Sequence, residues 1–289
     1  MFSVIVPTYN RVSLLANTID SLLRQDYAEA EIIVVNDGSS DGTEAYLSGL
    51  ASEGKVIALT VPNGGPSVAR RAGLTKARGE FVAFTDDDCV VPPGWLTAFS
   101  RVFEDPTVAG IGGPTETGNP ENIFAVTNDL INNHFKEVLN GRPGAAPYLT
   151  SNNVAYRRGA LERAGGHDTR FHTGAEDRDL DYRIAAAGGR LVYSSSVRIR
   201  HFNDSDLRAF LSHQFRQGRG SFLYYSVDRD GAPAPDPIPL QAYLSLLVAP
   251  FRILPTHRAL AAATLIILAQ GSIVAGFVSA LVKGKGTGR

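Results

Sequence analysis

The feature that most restricts how this chain can fold is the alternation of two apolar periods across its first hundred residues. Phe2 to Val6, Ile32 to Val35, Val56 to Val61 and Phe81 to Phe84 are short and rich in β-branched residues, the pattern of strands buried on both faces. Between them, Leu15, Ile19, Leu22 and Leu23 recur at helical spacing, and Asp41 followed by Glu44 reads as an N-cap with its capping-box partner. A third helix is expected over Ser67 to Ala77, stopping at Gly79. Trp95, Leu96, Phe99, Val102 and Phe103 form one stripe of a fourth, a core face. Strands and helices that alternate in this way imply right-handed crossovers and a mainly parallel, Rossmann-like α/β sheet with helices on both faces.

Such sheets bind ligands outside the carboxyl ends of their strands, and here each apolar run ends in polar groups. The ends are Pro7-Thr8-Tyr9-Asn10, Asn36-Asp37-Gly38-Ser39, Asn63-Gly64-Gly65 and Asp86-Asp87-Asp88. Converging on one crevice, they suit a base, a ribose and a metal-bound pyrophosphate. Three adjacent carboxylates repel one another, and a hard divalent cation, Mg or Mn, relieves that cost most simply. A solvated acidic turn before Pro92-Pro93 would carry the same residues. Asp37 to Asp41 imitates half of a calcium loop, but its twelfth position is Ser48, where a bidentate Glu is required. Neither Gly-x-Gly-x-x-Gly after the first strand nor a Gly-Lys-Ser/Thr loop is present, so dinucleotide oxidoreductase and P-loop readings lack their phosphate cradle.

Composition narrows the partners. A formal net charge of -1 gives no electrostatic footprint for nucleic acid. One cysteine, Cys89, cannot form an internal disulfide, and Met1-Phe2 runs directly into the first strand, so a reducing compartment is expected. Residues 1–104 read as one half and 105–231 as a second half of long functional loops. The second half holds one clear helix over Ala175 to Ala187 and strand-like Leu191 to Tyr193 and Val197 to Ile199. Residues 232–289 read as a Pro-rich linker and an apolar tail.

VIVPTYNR, VVNDGSSDGT, GGPSVARRAG, FTDDDC and GAEDRDLDYRI occur in the order and approximate spacing of the family 2 glycosyltransferases with the GT-A fold, and the resemblance covers about residues 2 to 220. It implies an inverting, metal-dependent transfer from a nucleotide diphosphate sugar, with residues 1–104 as the nucleotide-sugar-binding half and 105–231 as the acceptor-binding and catalytic half. It sets Pro7, Thr8 and Tyr9 beside the nucleobase and Asp37 accepting the base N3–H, which favours UDP or dTDP. It places Arg70 at the family's ARN arginine, with Arg71 where Asn is usual. It places Asp86 near the ribose, with Asp87 also on the donor side, and Asp88 at the metal, which His201 resembles a further ligand for. Glu176-Asp177 matches the pair that supplies the catalytic base. A carboxylate at a helix start is held ionised by the helix dipole and can take an acceptor's proton, although both acids could merely complement that dipole. Gln214, Arg216 and Arg219 are similar to the family's phosphate-facing end. The only tryptophan is Trp95, so the QxxRW of processive synthases is absent and transfer of a single sugar is expected. Ser151-Asn152-Asn153 offers amides to an acceptor's hydroxyls.

Ala259 to Val282 carries no charge and is long enough to cross a bilayer core. A cytosolic donor puts the body at the cytoplasmic face of a membrane. Lys283, Lys285 and Arg289 prefer the same side, which favours an interfacial or re-entrant segment over a simple crossing. A lipid-linked or cell-envelope glycan is the acceptor that such a tail suggests. Two other readings stay open: a nucleotidyltransferase, which should carry a Gly-rich triphosphate loop where Thr8-Tyr9-Asn10-Arg11 stands, and a non-catalytic nucleotide-sugar-binding scaffold.

Overall fold

The computed structural model describes residues 1–141, 148–229 and 235–285, so Ala232 to Ala234 of the Pro-rich break lie outside it. Its ten strands are β1 (Phe2–Thr8), β2 (Ala30–Asn36), β3 (Ile57–Thr60), β4 (Phe81–Phe84), β5 (Cys89–Val90), β6 (Val108–Gly112), β7 (Thr115–Thr117), β8 (Val154–Arg157), β9 (Arg190–Tyr193) and β10 (Ile199–His201). The helices are α1 (Val12–Leu23), α2 (Thr43–Ser52), α3 (Pro66–Leu74), α4 (Trp95–Val102), α5 (Ile123–Asn140), α6 (Arg158–Arg163), α7 (Glu176–Ala186), α8 (Leu207–Ser226), α9 (Leu240–Val248), α10 (Pro250–Ile253) and α11 (Thr256–Lys285).

Seven strands form one sheet in the order β3-β2-β1-β4-β8-β6-β9. The first four run parallel; β8 is antiparallel to both neighbours, and β9 runs parallel to β6. Strand alternation divides the interior. Val4 and Val6 of β1 point into a cluster with Leu15, Ile19 and Trp95, while Ile5 joins Ala69, Leu180 and Ile184 on the other face. Helices therefore cover both faces, which is the GT-A arrangement. The strand order reverses between β1 and β4, so the loops after them open onto one crevice.

A small sheet, β5-β10-β7, crosses the end of this crevice. Sequence placed a strand at Val197 to Ile199; the strand is Ile199–His201, and His201 itself pairs with Cys89. Asp41 is likewise displaced from its expected role: Gly42 occupies the N-cap of α2, and the Asp41 carboxylate accepts from the amides of Thr43 and Val12, tying the starts of α1 and α2 together.

The tail helices pack on the body. Leu130, Ile131, Phe135 and Leu139 of α5, Phe210 of α8, Ala242 and Leu246 of α9, and Leu265, Ile266 and Ala269 of α11 share one buried cluster.

Candidate active site

A cleft of 640 Å³ opens at the carboxyl ends of β1 and β4, between α3, α5, α7 and α8. Of the residues expected from sequence, Pro7, Thr8, Tyr9, Asp37, Arg70, Asp86, Asp87, Asp88, Asn152, Glu176, Asp177, His201 and Arg216 line it. Ser151, Asn153, Gln214 and Arg219 do not. Asn153 is wholly buried, accepting from the Trp95 indole and donating to the carbonyls of Pro114 and Val197, so its amide holds the β8 start in place and has nothing left for an acceptor. Arg219 lies one turn further along α8, outside the lining.

Asp37 is buried and accepts from the amides of Gly64 and Gly65 over 2.8 and 2.9 Å, so the turn after β3 orients its carboxylate. Thr8 donates to Asp87 over 2.8 Å. Arg11, given no role by sequence, bridges Asp87 and Asp88 at 3.2 and 2.9 Å. Burial nevertheless pushes Asp87 up to about 6.

Arg70 joins the two halves of the cleft. It projects from α3, buried, with one nitrogen 2.7 Å from Asp86 and the other 3.1 Å from Glu176. At the start of α7, Asp177 accepts from the Ser151 amide over 3.1 Å and from the Ser151 hydroxyl. The hydroxyl also lies 3.3 Å from His167 Nε2, and burial holds that imidazole neutral. The helix dipole favours the ionised forms of the acid pair, and burial opposes it. Glu176 rises to about 7 from desolvation and the neighbouring Asp177 charge, and Asp177 is raised mainly by desolvation, against Arg70 and Ser151. A carboxylate whose affinity for protons is raised toward neutrality is a better general base than an exposed one. The backbone carries strain at this point and in the loop after β1: Ala175, immediately before the pair, and Asn10, between Tyr9 and Arg11, hold φ of 68° and 53°.

His201 faces Asp88 with Nε2 3.4 Å from the carboxylate, and its Nδ1 is 2.9 Å from Asp129. One carboxylate oxygen and one imidazole nitrogen, with the second nitrogen fixed by a buried carboxylate, form a donor set that fits Mn or Mg once the ion displaces the imidazole proton. Against burial, the hydrogen bonds to Asp129 and Asp88 hold that proton's pKa well above the usual histidine range. The second oxygen of Asp129 is buried without a hydrogen-bond partner. Cys89 Sγ lies within the same cluster, but burial pushes its thiol up and keeps it protonated, so it is a poor ligand.

Several cleft groups escaped the sequence. Asp129 reaches His201 across 72 positions, and Asn128, beside it, lines the cleft and accepts from Gln214. His213 lines the cleft from α8 and is held neutral, down to about 4, by burial and by Arg216. Their common signal was weak: polar residues on otherwise apolar helix faces, which also occur as ordinary core contacts.

Comparison with known proteins agrees with this geometry. The model of the family described as "Glycosyl transferase family 2" matches residues 3–165, more than half of the chain. A pre-mycofactocin glycosyltransferase of Mycobacterium tuberculosis is 29% identical over 238 residues, 81% of this chain and 49% of that protein. A GalNAc(5)-diNAcBac-PP-undecaprenol beta-1,3-glucosyltransferase of Campylobacter jejuni is 43% identical over 102 residues, 34% of this chain and 33% of its own. The chain thus spans about half, or less, of the length of these curated relatives. Among solved structures, a mannosyltransferase from Pyrobaculum calidifontis in complex with GDP-Man and Mn2+ superposes with a TM-score of 0.67 at 24% identity, over 97% of this chain and 86% of that one. With the matched segment running from β1 through the acid triplet to the turn after α6, and the GT-A sheet around it, the chain belongs to glycosyl transferase family 2.

Proposed function

We propose that this chain is an inverting glycosyltransferase that moves a single sugar from a nucleotide diphosphate sugar, UDP or dTDP favoured, to a hydroxyl of a lipid-linked or cell-envelope glycan. It works at the cytoplasmic face of a membrane. The observation that carries this reading is the Arg70 bridge, which sets the acid triplet after β4 and the acid pair of α7 on facing walls of one cleft.

Each wall has its own task. Asp37 accepts the base N–H while Pro7, Thr8 and Tyr9 flank the base, and Asp86 and Asp87 orient the ribose and diphosphate. Asp88 and His201 would hold Mn or Mg, which when bound supplies positive charge to the leaving diphosphate. Arg216 adds to that charge from α8, and Asn152 borders the acceptor. Asp177 takes the proton of the acceptor hydroxyl as its oxygen bonds to the anomeric carbon; the bond to the diphosphate breaks on the opposite side, so configuration inverts and the nucleoside diphosphate departs. The lipid-linked acceptor is supported by the Campylobacter relative's undecaprenol-linked substrate and by the apolar tail.

Thermal shift with UDP, dTDP and GDP sugars, each with Mn, Mg or EDTA, tests the donor and metal together. One donor should raise the melting temperature only with metal, and Asp88→Ala should abolish the rise. Equal stabilisation in EDTA would remove the metal. Release of pyrophosphate from a nucleoside triphosphate and sugar phosphate would replace the reading with a nucleotidyltransferase.

A further inference from the structure

One face of the tail is fastened to the catalytic body and the other is bare. Along α11, Ala259, Ala262, Ile266 and Ala269 are buried against the body. Further along, the contact tightens to backbone distance: a Cβ built on Gly218 of α8 would meet the Ile273 carbonyl at 2.0 Å, and one on Gly276 would meet the Phe215 carbonyl at 2.0 Å. Ser272 donates to the Leu211 carbonyl over 2.8 Å, and Arg258 donates to the Pro120 carbonyl. The opposite stripe of α11, Leu260, Ile267 and Val274, is exposed, as are Leu240, Leu244 and Val248 at the i, i+4, i+8 positions of α9.

The fastened stretch from Ala259 to Gly276 is about 26 Å long, close to the thickness of a hydrocarbon core. If α11 crossed a bilayer there, α8 would be carried into the hydrocarbon beside it. The opposite side of α8 presents His213, Arg216 and Gln217 to the cleft. Arginine and a water-filled cleft are costly at that depth. An in-plane helix avoids this conflict: one stripe stays on the protein and the other faces acyl chains.

Charge selects the occupant of the bare face. From Pro237 to Lys285 there is no acidic residue, whereas exposed Arg252 and His257 stand where α10 passes into α11 and exposed Lys283 stands near its end; Arg258 is turned to the body. In a symmetric dimer of tail on tail, these groups would meet only their own kind, with no carboxylate on the partner's tail to pair. An anionic lipid surface complements them.

We propose that α9, α10 and α11 form a monotopic platform that lies flat in the headgroup region of an anionic membrane, with α11 not crossing it. The cleft is then separated from the lipid by the α8–α11 layer alone, within reach of a lipid-linked acceptor. This deepens the membrane reading above and is separable from the catalytic one.

The test uses the full chain added to preformed phosphatidylcholine vesicles with or without phosphatidylglycerol. Flotation should be on the order of tenfold or more stronger with the anionic lipid. Leu244→Glu combined with Ile267→Glu, both at exposed positions, should abolish flotation at an unchanged melting temperature. Thr256→Cys and Lys283→Cys, made singly, should both react with an impermeant maleimide added outside the vesicles; Cys89 is buried and serves as the silent background. Protection of one position but not the other would show a crossing and overturn the in-plane placement. Absence of flotation from every vesicle, with sugar transfer intact, would overturn membrane docking and leave the glycosyltransferase reading standing. A concentration-dependent dimer lost in the double Glu variant would assign the face to a second copy and overturn the proposal.

Discussion

Ser151 grips Asp177 twice, its amide donating to one carboxylate oxygen over 3.1 Å and its hydroxyl donating to the other. The single hydroxyl proton is committed to Asp177, so the neutral His167, 3.3 Å away, must donate from Nε2. The serine thereby favours the ionised form of Asp177 inside a wall whose burial disfavours it. Glu176, Arg70, Asp86, Lys136 and Asp181 also act on this carboxylate, and Arg70 is the largest stabilising charge.

Ser151→Ala should therefore raise the proton affinity of Asp177 further. The acid limb of the kcat profile should move up by about one pH unit, with near-normal turnover recovered on the alkaline side. His167→Phe, which keeps an aromatic ring against Phe84, should move it the same way by less. A uniform loss of rate at all pH values, with the limb unmoved, would make Ser151 a packing residue only.

The buried acids also make stability depend on pH. In the fold Glu176 keeps its proton to about pH 7, against 4.5 for a free carboxyl, and Asp87 keeps its own to about 6, against 3.8. Their contribution is full below the unfolded values and is lost as pH rises through 6 to 7. The melting temperature should fall between roughly pH 5 and pH 8, with Glu176 accounting for on the order of 3 kcal/mol. Glu176→Gln should flatten that slope, as thermal melts across the range would show. An unchanged slope would mean that Glu176 is ionised in the fold.

The tail should not be dispensable. The sequence suggests a separable segment after the Pro-rich break, yet α9 and α11 complete the cluster around Leu130, Phe135 and Phe210. A chain ending at Asp236 would expose those side chains and, by area, lose several kcal/mol. Near-ultraviolet circular dichroism should show lost packing, and size exclusion should show aggregation. A monodisperse fragment with the full-length melting temperature would refute this.

What the sequence revealed follows from distance along the chain. The strands and their polar ends were legible because periodicity and turn residues are local, and Thr8, Asp37, Asp86 and Glu176 lie within those local patterns. The Arg11 bridge to Asp87 and Asp88 spans 76 and 77 positions, and Ser151 meets Asp177 across 26. No period encodes such contacts; the strand pairing creates them. Asn153 shows the converse error: an amide in a motif-rich loop looked free, whereas the Trp95 indole and two carbonyls had claimed it.

In the proposed reaction Asp177 is the group that takes the acceptor's proton. Asp177→Asn keeps the shape and most hydrogen bonds but cannot accept a proton from the acceptor. With the donor found by thermal shift, calorimetry should give a donor affinity near wild type while transfer, followed by product mass, falls by about two to four orders of magnitude. Near-normal transfer by this variant would contradict the assignment and move the base to Glu176; Asp179, the other acid of that turn, is buried between Arg183 and Arg229 outside the cleft.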